Sequence, residues 1–277
     1  MATIPPRYLL KKVIKIAVCI FAACTGYNSK TNKKGLTILT YHSIGNKIEP
    51  DETVTPEEFE KQLQYIKDNY KVISLEDAVE YLQTDIEKVA GSIVITFDDG
   101  YSNNYHNAYP LLKKHRFPAT IFLISDLIND KGGKYLSQSQ IHEMMDNNIS
   151  FGSHTISHRI LTGLRNEEII GEIRDSKDIL ESQLGNKINS FAYPVGTRAD
   201  FDDETAEIVK EYKYTCACSN VYGMNDENSD IFALKRIGIE TTDCFLLFKQ
   251  KLDGALNIMS CKDTKLFQEL KRIFLKL

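Results

Sequence analysis

Short β-branched apolar runs alternate with amphipathic helical patterns along most of this chain, and that alternation leaves few folds open. The runs at 36–41, 93–97, 119–124, 149–152, 191–193, 214–218 and 233–239 read as buried strands. Helical periodicity begins at 55 and at 74 and covers 109–115, 137–147, 166–184, 202–212 and 243–252. Thr55, Pro56 and Glu58 predict a capping box with a proline in the first turn, and Gly185 predicts the C-cap of the longest helix. Such a chain builds an α/β fold with a parallel sheet and helices outside it. About seven strands in this length favour a closed or nearly closed (β/α) barrel over an open sheet, and a barrel gathers its active site at the carboxyl ends of its strands. Polar residues at strand ends therefore carry the functional question.

Composition narrows the partners. With a net charge of -4 over 277 residues, the chain lacks the basic balance expected of a nucleic-acid binder. No glycine-rich phosphate loop follows any strand. The start of the chain differs from the rest: Arg7, Lys11, Lys12 and Lys15 precede an apolar run at 16–23, then Cys24 and a polar stretch. This is the layout of an export signal, too short for a membrane span of about 20 residues. Phe21-Ala22-Ala23-Cys24 resembles a bacterial lipobox, which would place a lipid on Cys24 and the protein at a membrane. Among the six cysteines, Cys216 and Cys218 share one side of a strand and read as buried thiols.

The strongest chemical signal is Ile95-Thr96-Phe97-Asp98-Asp99-Gly100, a buried strand running into two carboxylates and a glycine. Successive side chains point opposite ways, so one carboxylate enters the core, and the glycine lets both address one place. Two close carboxylates raise each other's pKa unless a cation intervenes, which suits a metal ligand beside a general base; a hairpin turn is the plain alternative. Next comes Ser153-His154-Thr155-Ile156-Ser157-His158, two histidines four apart after another strand. With a carboxylate they complete the donor set of a hydrolytic zinc site. Phe191-Ala192-Tyr193-Pro194-Val195-Gly196 is a third strand-to-loop passage; Pro194 has no amide hydrogen, so the Tyr193 amide is the donor expected there. A strand also ends at His42, and Arg236 lies within an otherwise apolar one. His106 could face the cleft, His115 and His142 read as solvated, and the charges at 167–181 read as an exposed helical face.

These motifs, in this order, resemble the polysaccharide deacetylase (NodB-homology) family, carbohydrate esterase family four. The resemblance covers roughly 36–255 and implies a distorted (β/α) barrel with one divalent metal ion, zinc first, with cobalt, nickel or manganese as alternatives. It makes Asp99, His154 and His158 the metal ligands, Asp98 the general base and the Tyr193 amide an oxyanion donor. The usual arginine before the third motif is replaced by Ala192, and no histidine follows position 158. In this the chain is similar to the branch of biofilm poly-N-acetylglucosamine deacetylases, where a circular permutation moves a strand to the N-terminus. His42 is then the candidate general acid, facing Asp98 across the metal, and Arg236 the candidate holder of Asp98, because a buried arginine needs a carboxylate.

The expected plan is an export or lipoprotein signal at 1–24, a linker at 25–35, the catalytic domain at 36–260 and an amphipathic helix at 261–277. The expected protein is an exported monomer that hydrolyses N-acetyl groups on an N-acetylglucosamine polymer. An O-acetyl esterase acting on xylan or another glycan, and a silent glycan-binding domain, are the competing readings.

Overall fold

The structure, a computed structural model, describes residues 35–45 and 53–254. The signal, nearly all of the linker and the tail helix therefore lie outside the described residues. Among the described residues ten strands occur in chain order: β1 Thr37–Tyr41, β2 Ser43–Ile44, β3 Thr53–Val54, β4 Lys71–Val72, β5 Ser92–Phe97, β6 Ala119–Leu123, β7 Ile149–Ser153, β8 Ser190–Ala192, β9 Cys216–Tyr222 and β10 Leu234–Gly238. The helices are α1 Pro56–Asn69, α2 Leu75–Thr84, α3 Tyr109–His115, α4 Gln138–Met145, α5 Asn166–Leu184, α6 Asp203–Glu211 and α7 Phe245–Leu252.

Seven of the strands close a parallel barrel, as the alternation predicts. β5 through β10 pair in sequence, and β1 closes the ring between β10 and β5. β4 pairs with the first two residues of β5, ahead of the stretch where β5 pairs with β6, while β2 and β3 form a separate two-stranded parallel pair. These two-residue strands escape a periodicity argument because they are too short to show a period.

Strand alternation sorts the core into two layers. Leu39, Tyr41, Ile95 and Phe97 join the layer between barrel and helices. Ile38, Val94, Phe122, Cys216, Cys218 and Leu234 fill the barrel interior, together with Leu75, Ala78 and Val79 of α2. So α2 plugs the end at which the strands begin. Both interior cysteines are buried free thiols, as the strand spacing predicts, whereas Cys244 is exposed.

The caps show how local sequence sets helix starts. Thr55 accepts from the Glu58 amide at 3.2 Å, but the reciprocal contact is absent and Glu58 Oε1 stays unpartnered, so only half of the predicted capping box forms. A complete box opens α4, from Ser137 and Gln140. Gly185 ends α5 in the left-handed region, as predicted.

Candidate active site

β5 delivers six buried residues and then Asp98, whose own exposure is 0%. The Asp98 amide continues the sheet ladder by donating to Tyr41 O at 2.9 Å. The chain then turns through Asp99 (φ 69°) and Gly100 (φ 71°). A Cβ on Gly100 would sit 2.7 Å from Leu123 Cδ2, so both space and φ favour glycine there. The turn leaves Asp98 inside the barrel and Asp99 half-buried at the rim.

Arg236, 1% exposed, enters from β10 and clamps Asp98 with two parallel bonds, Nη1 to Oδ1 at 2.8 Å and Nη2 to Oδ2 at 2.7 Å. Its Nε donates to Ser219 O at 2.8 Å, and Phe122 lies 5.6 Å beneath the guanidinium. The β9–β10 register shifts between Leu234 and Arg236, and such irregularities at barrel rims re-aim side chains. Burial alone would raise the Asp98 pKa, but the Arg236 charge and hydrogen bonds outweigh it and hold the carboxyl well below the usual range.

The second motif is a compact loop. Thr155 and His158 both adopt positive φ, 67° and 60°. His154 Nδ1 donates to Ala192 O at 2.7 Å; the carbonyl can only accept, so the lone pair of the neutral ring sits on Nε2. Burial lowers the His154 pKa, which favours that neutral form. His154 Nε2 and His158 Nε2 lie 3.7 and 3.5 Å from Asp99 Oδ1. One donor atom each from Asp99, His154 and His158 falls within a 4.8 Å cluster. Ligands about 2.0–2.1 Å from a tetrahedral ion stand about 3.3–3.4 Å apart, close to the two carboxylate–imidazole separations, and one carboxylate with two imidazoles is a donor set that suits zinc.

His42 stands next to Asp98, its Nε2 3.9 Å from Asp98 Oδ2. β1 pairs in register with β5, Tyr41 opposite Phe97, so the residues after those two strands emerge side by side. One expectation changes: the Tyr193 amide is not free for an oxyanion. It donates to Cys218 O at 3.1 Å, extending the β8–β9 ladder, while the Tyr193 hydroxyl donates to Phe232 O at 2.9 Å.

Other histidines divide differently from expectation. His106 is exposed beside Gln140, at 3.5 Å. His115 is buried and stacked on Phe117 rather than solvated. Glu172 is also buried, correcting the view of the α5 charges as one exposed face. It belongs to the stripe Ile169, Glu172, Ile173, Ser176, Leu180, a helical spacing that could have flagged it. Asn103 and Asn107 were missed as well. Asn103 donates to Ser43 Oγ at 2.7 Å and Asn107 to Ile44 O at 2.7 Å, tying the strand after His42 to the π-helical turn Asn104–Ala108.

A sequence model for the polysaccharide deacetylase family matches residues 85–217. YxkH of Bacillus subtilis, which bears the polysaccharide deacetylase name, is 34% identical over 214 residues, covering 76% of this chain and 74% of that one. A poly-beta-1,6-N-acetyl-D-glucosamine N-deacetylase of Staphylococcus epidermidis is 28% identical over 81% of this chain and 86% of its own. Among solved structures, the Streptococcus pyogenes deacetylase PplD in complex with acetate superposes with a TM-score of 0.72 at 29% identity, covering 79% of this chain and 98% of that one.

Proposed function

The chain belongs to the polysaccharide deacetylase family, a family of hydrolases, and from that premise we propose that it removes N-acetyl groups from an N-acetylglucosamine-containing polysaccharide. The observation that carries this reading is the Arg236-clamped Asp98 standing beside the three-ligand cluster of Asp99, His154 and His158. Asp99, His154 and His158 would hold a divalent ion, zinc by the donor chemistry, which when bound would serve as a Lewis acid toward water and an acyl oxygen.

The chain's own groups do the rest. Asp98 is ionised at neutral pH and accepts the proton of the attacking water. Arg236 holds the Asp98 carboxylate ionised and fixed in place for that role. The water oxygen joins the acyl carbon, the C–N bond breaks, and the leaving amine needs a proton. His42, whose Nε2 stands 3.9 Å from Asp98 Oδ2, supplies that proton, and after product release Asp98 gives its proton up to solvent while His42 regains one from it. With the Tyr193 amide engaged and Pro194 lacking one, the Val195 amide is the next donor along the loop. It donates to nothing among the described residues, and we assign it to the oxyanion.

The Staphylococcus epidermidis relative supports the amide over the ester as the bond cut, and acetate in the Streptococcus pyogenes structure matches the expected product. No helix among the described residues is long and apolar enough to cross a membrane. The basic start, apolar run and Cys24 support export with a lipid anchor, which brings the enzyme to a surface polymer.

The test pairs N-acetylglucosamine oligomers with an activated acetate ester, with and without chelator, on wild type and His42→Ala. Expected are chelator-sensitive amide hydrolysis and one ion per chain. His42→Ala should lose most amide turnover and less ester turnover, because a good leaving group hardly needs a proton. Ester-only turnover would transfer the protein to O-acetyl chemistry. Glycan binding without turnover would make it a silent binding domain.

A further inference from the structure

Two of the three clustered donor atoms sit on one loop, 153–158, and that loop has an unfavourable backbone. Thr155 and His158 are both left-handed without being glycine, at φ 67° and 60°. L residues hold such angles only where their surroundings enforce them. His154 is fixed twice, by its amide to Leu123 O at 2.8 Å and by its ring to Ala192 O. His158 is fixed at one backbone point, its amide donating to Thr155 Oγ1 at 3.0 Å, and its side chain is 35% exposed. The turn between the two histidines is held on its carbonyl side, where the Ser125 and Asp126 amides donate to Thr155 O and Ile156 O at 3.1 and 3.2 Å; its own amides need acceptors as well.

Glu172 of α5 meets that turn. Its Oε2 accepts the amides of Ile156 and Ser157 at 2.9 and 3.0 Å, and its Oε1 accepts the Ser157 hydroxyl at 2.5 Å. One turn further along α5, the Ser176 hydroxyl lies 2.7 Å from Ser153 Oγ, which in turn accepts the Thr155 amide at 3.2 Å. Glu172 is 7% exposed and forms no ion pair among the described residues. Its charge is therefore balanced by donors of this loop, and a buried carboxylate is tolerated only while such donors stay in place. Two consecutive amides converge on one oxygen only in a tight turn, so the carboxylate selects this turn over other paths from His154 to His158.

We infer that Glu172 is a positioning residue for the metal cluster, setting His158 against His154 and Asp99 from behind the loop. This rests on reading Asp99, His154 and His158 as the metal ligands. Removing the carboxylate leaves His154 anchored and releases His158, so the loss falls on metal affinity more than on the fold.

The experiment measures zinc affinity by chelator competition in Glu172→Ala, Glu172→Gln and Leu180→Ala, with hydrogen exchange on the metal-free proteins. Leu180 is a buried residue of the same helix and controls for general loss of stability. Glu172→Ala should bind zinc about 10- to 100-fold more weakly, the usual cost of losing a group that orients a metal ligand. Glu172→Gln keeps an oxygen for both amides and should recover most of that affinity. Leu180→Ala should lower Tm and leave affinity unchanged. In metal-free protein, the Ile156 and Ser157 amides should lose protection in Glu172→Ala and keep it in Leu180→Ala. Wild-type affinity in Glu172→Ala, or an equal loss in Leu180→Ala, overturns the inference. If wild type takes up no zinc, the metal reading fails by itself, and the exchange arm still decides whether Glu172 holds the loop: unchanged protection overturns that too.

Discussion

The two ends of the barrel interior are made from the same strands and are equally buried, yet one end is inert and the other ionic. β1 contributes Ile38 and then Thr40; β5 contributes Val94, Thr96 and then Asp98; β10 contributes Leu234 and then Arg236. Every one of these is at most 1% exposed. Burial therefore does not separate core from site; the polar atoms and their partners do. At the carboxyl end Thr96 Oγ1 donates to Leu39 O at 2.8 Å, and Arg236 satisfies Asp98 and Ser219 together. At the amino end α2 seals the barrel with aliphatic side chains that need no partners. Size also misleads: a cleft of about 700 Å³ opens at the amino end, lined by Lys71, Glu76, Tyr81, Ser150 and Asn189, and none of the candidate site residues lines it. A void shows where something fits, whereas matched buried charge shows where chemistry can be held.

Substitutions at each end sharpen or break that contrast. The largest effect belongs to Asp98→Asn, which removes a proton acceptor while keeping the side-chain volume. Turnover should fall about 10²–10⁴-fold with metal content intact, as metal analysis and a deacetylase assay will show. Loss of metal in Asp98→Asn and its retention in Asp99→Asn would exchange the roles of the pair.

Arg236→Met comes next and reads on stability. It strands Asp98 as an unpaired buried charge, and urea unfolding should show a loss of about 3–5 kcal/mol. The pH dependence has a definite sign. Because the folded Asp98 pKa is depressed, the stability the carboxylate contributes is complete above its unfolded value of about 3.9 and is lost as pH falls through the lower folded value. Wild type should therefore lose nothing through this pair between pH 8 and 5; a drop there traced to Asp98 would break the assignment.

Val94→Ala tests the inert end. Two methyl groups leave a packed interior, so stability should fall by about 2 kcal/mol while activity at a permissive temperature stays near wild type. Loss of turnover as deep as that of Asp98→Asn would erase the distinction between the two ends.

The smallest effect is a non-reaction. Burial pushes the Cys218 thiol up to about 12 and Cys216 well above its ordinary value, so neither forms a thiolate at pH 8. Iodoacetamide followed by peptide mass spectrometry should label exposed Cys244 and spare both interior cysteines until the protein is unfolded.

The sequence alone determined the barrel, because its evidence is local: runs of period two and 3.6 survive in one dimension and admit one closed parallel arrangement here. It also determined which polar residues stand at strand ends, and the rule that a buried arginine needs a carboxylate linked Arg236 to Asp98 across 138 positions. What it could not supply was the use made of each group, since that depends on which strands become neighbours and in what register. The β1–β5 register puts His42 beside Asp98. The β8–β9 ladder takes the Tyr193 amide. The packing of α5 under the histidine loop turns Glu172 from an apparent surface charge into a buried acceptor. Hydrogen-bond partners far apart in sequence are chosen when the ring closes, and no periodicity along the chain encodes that choice.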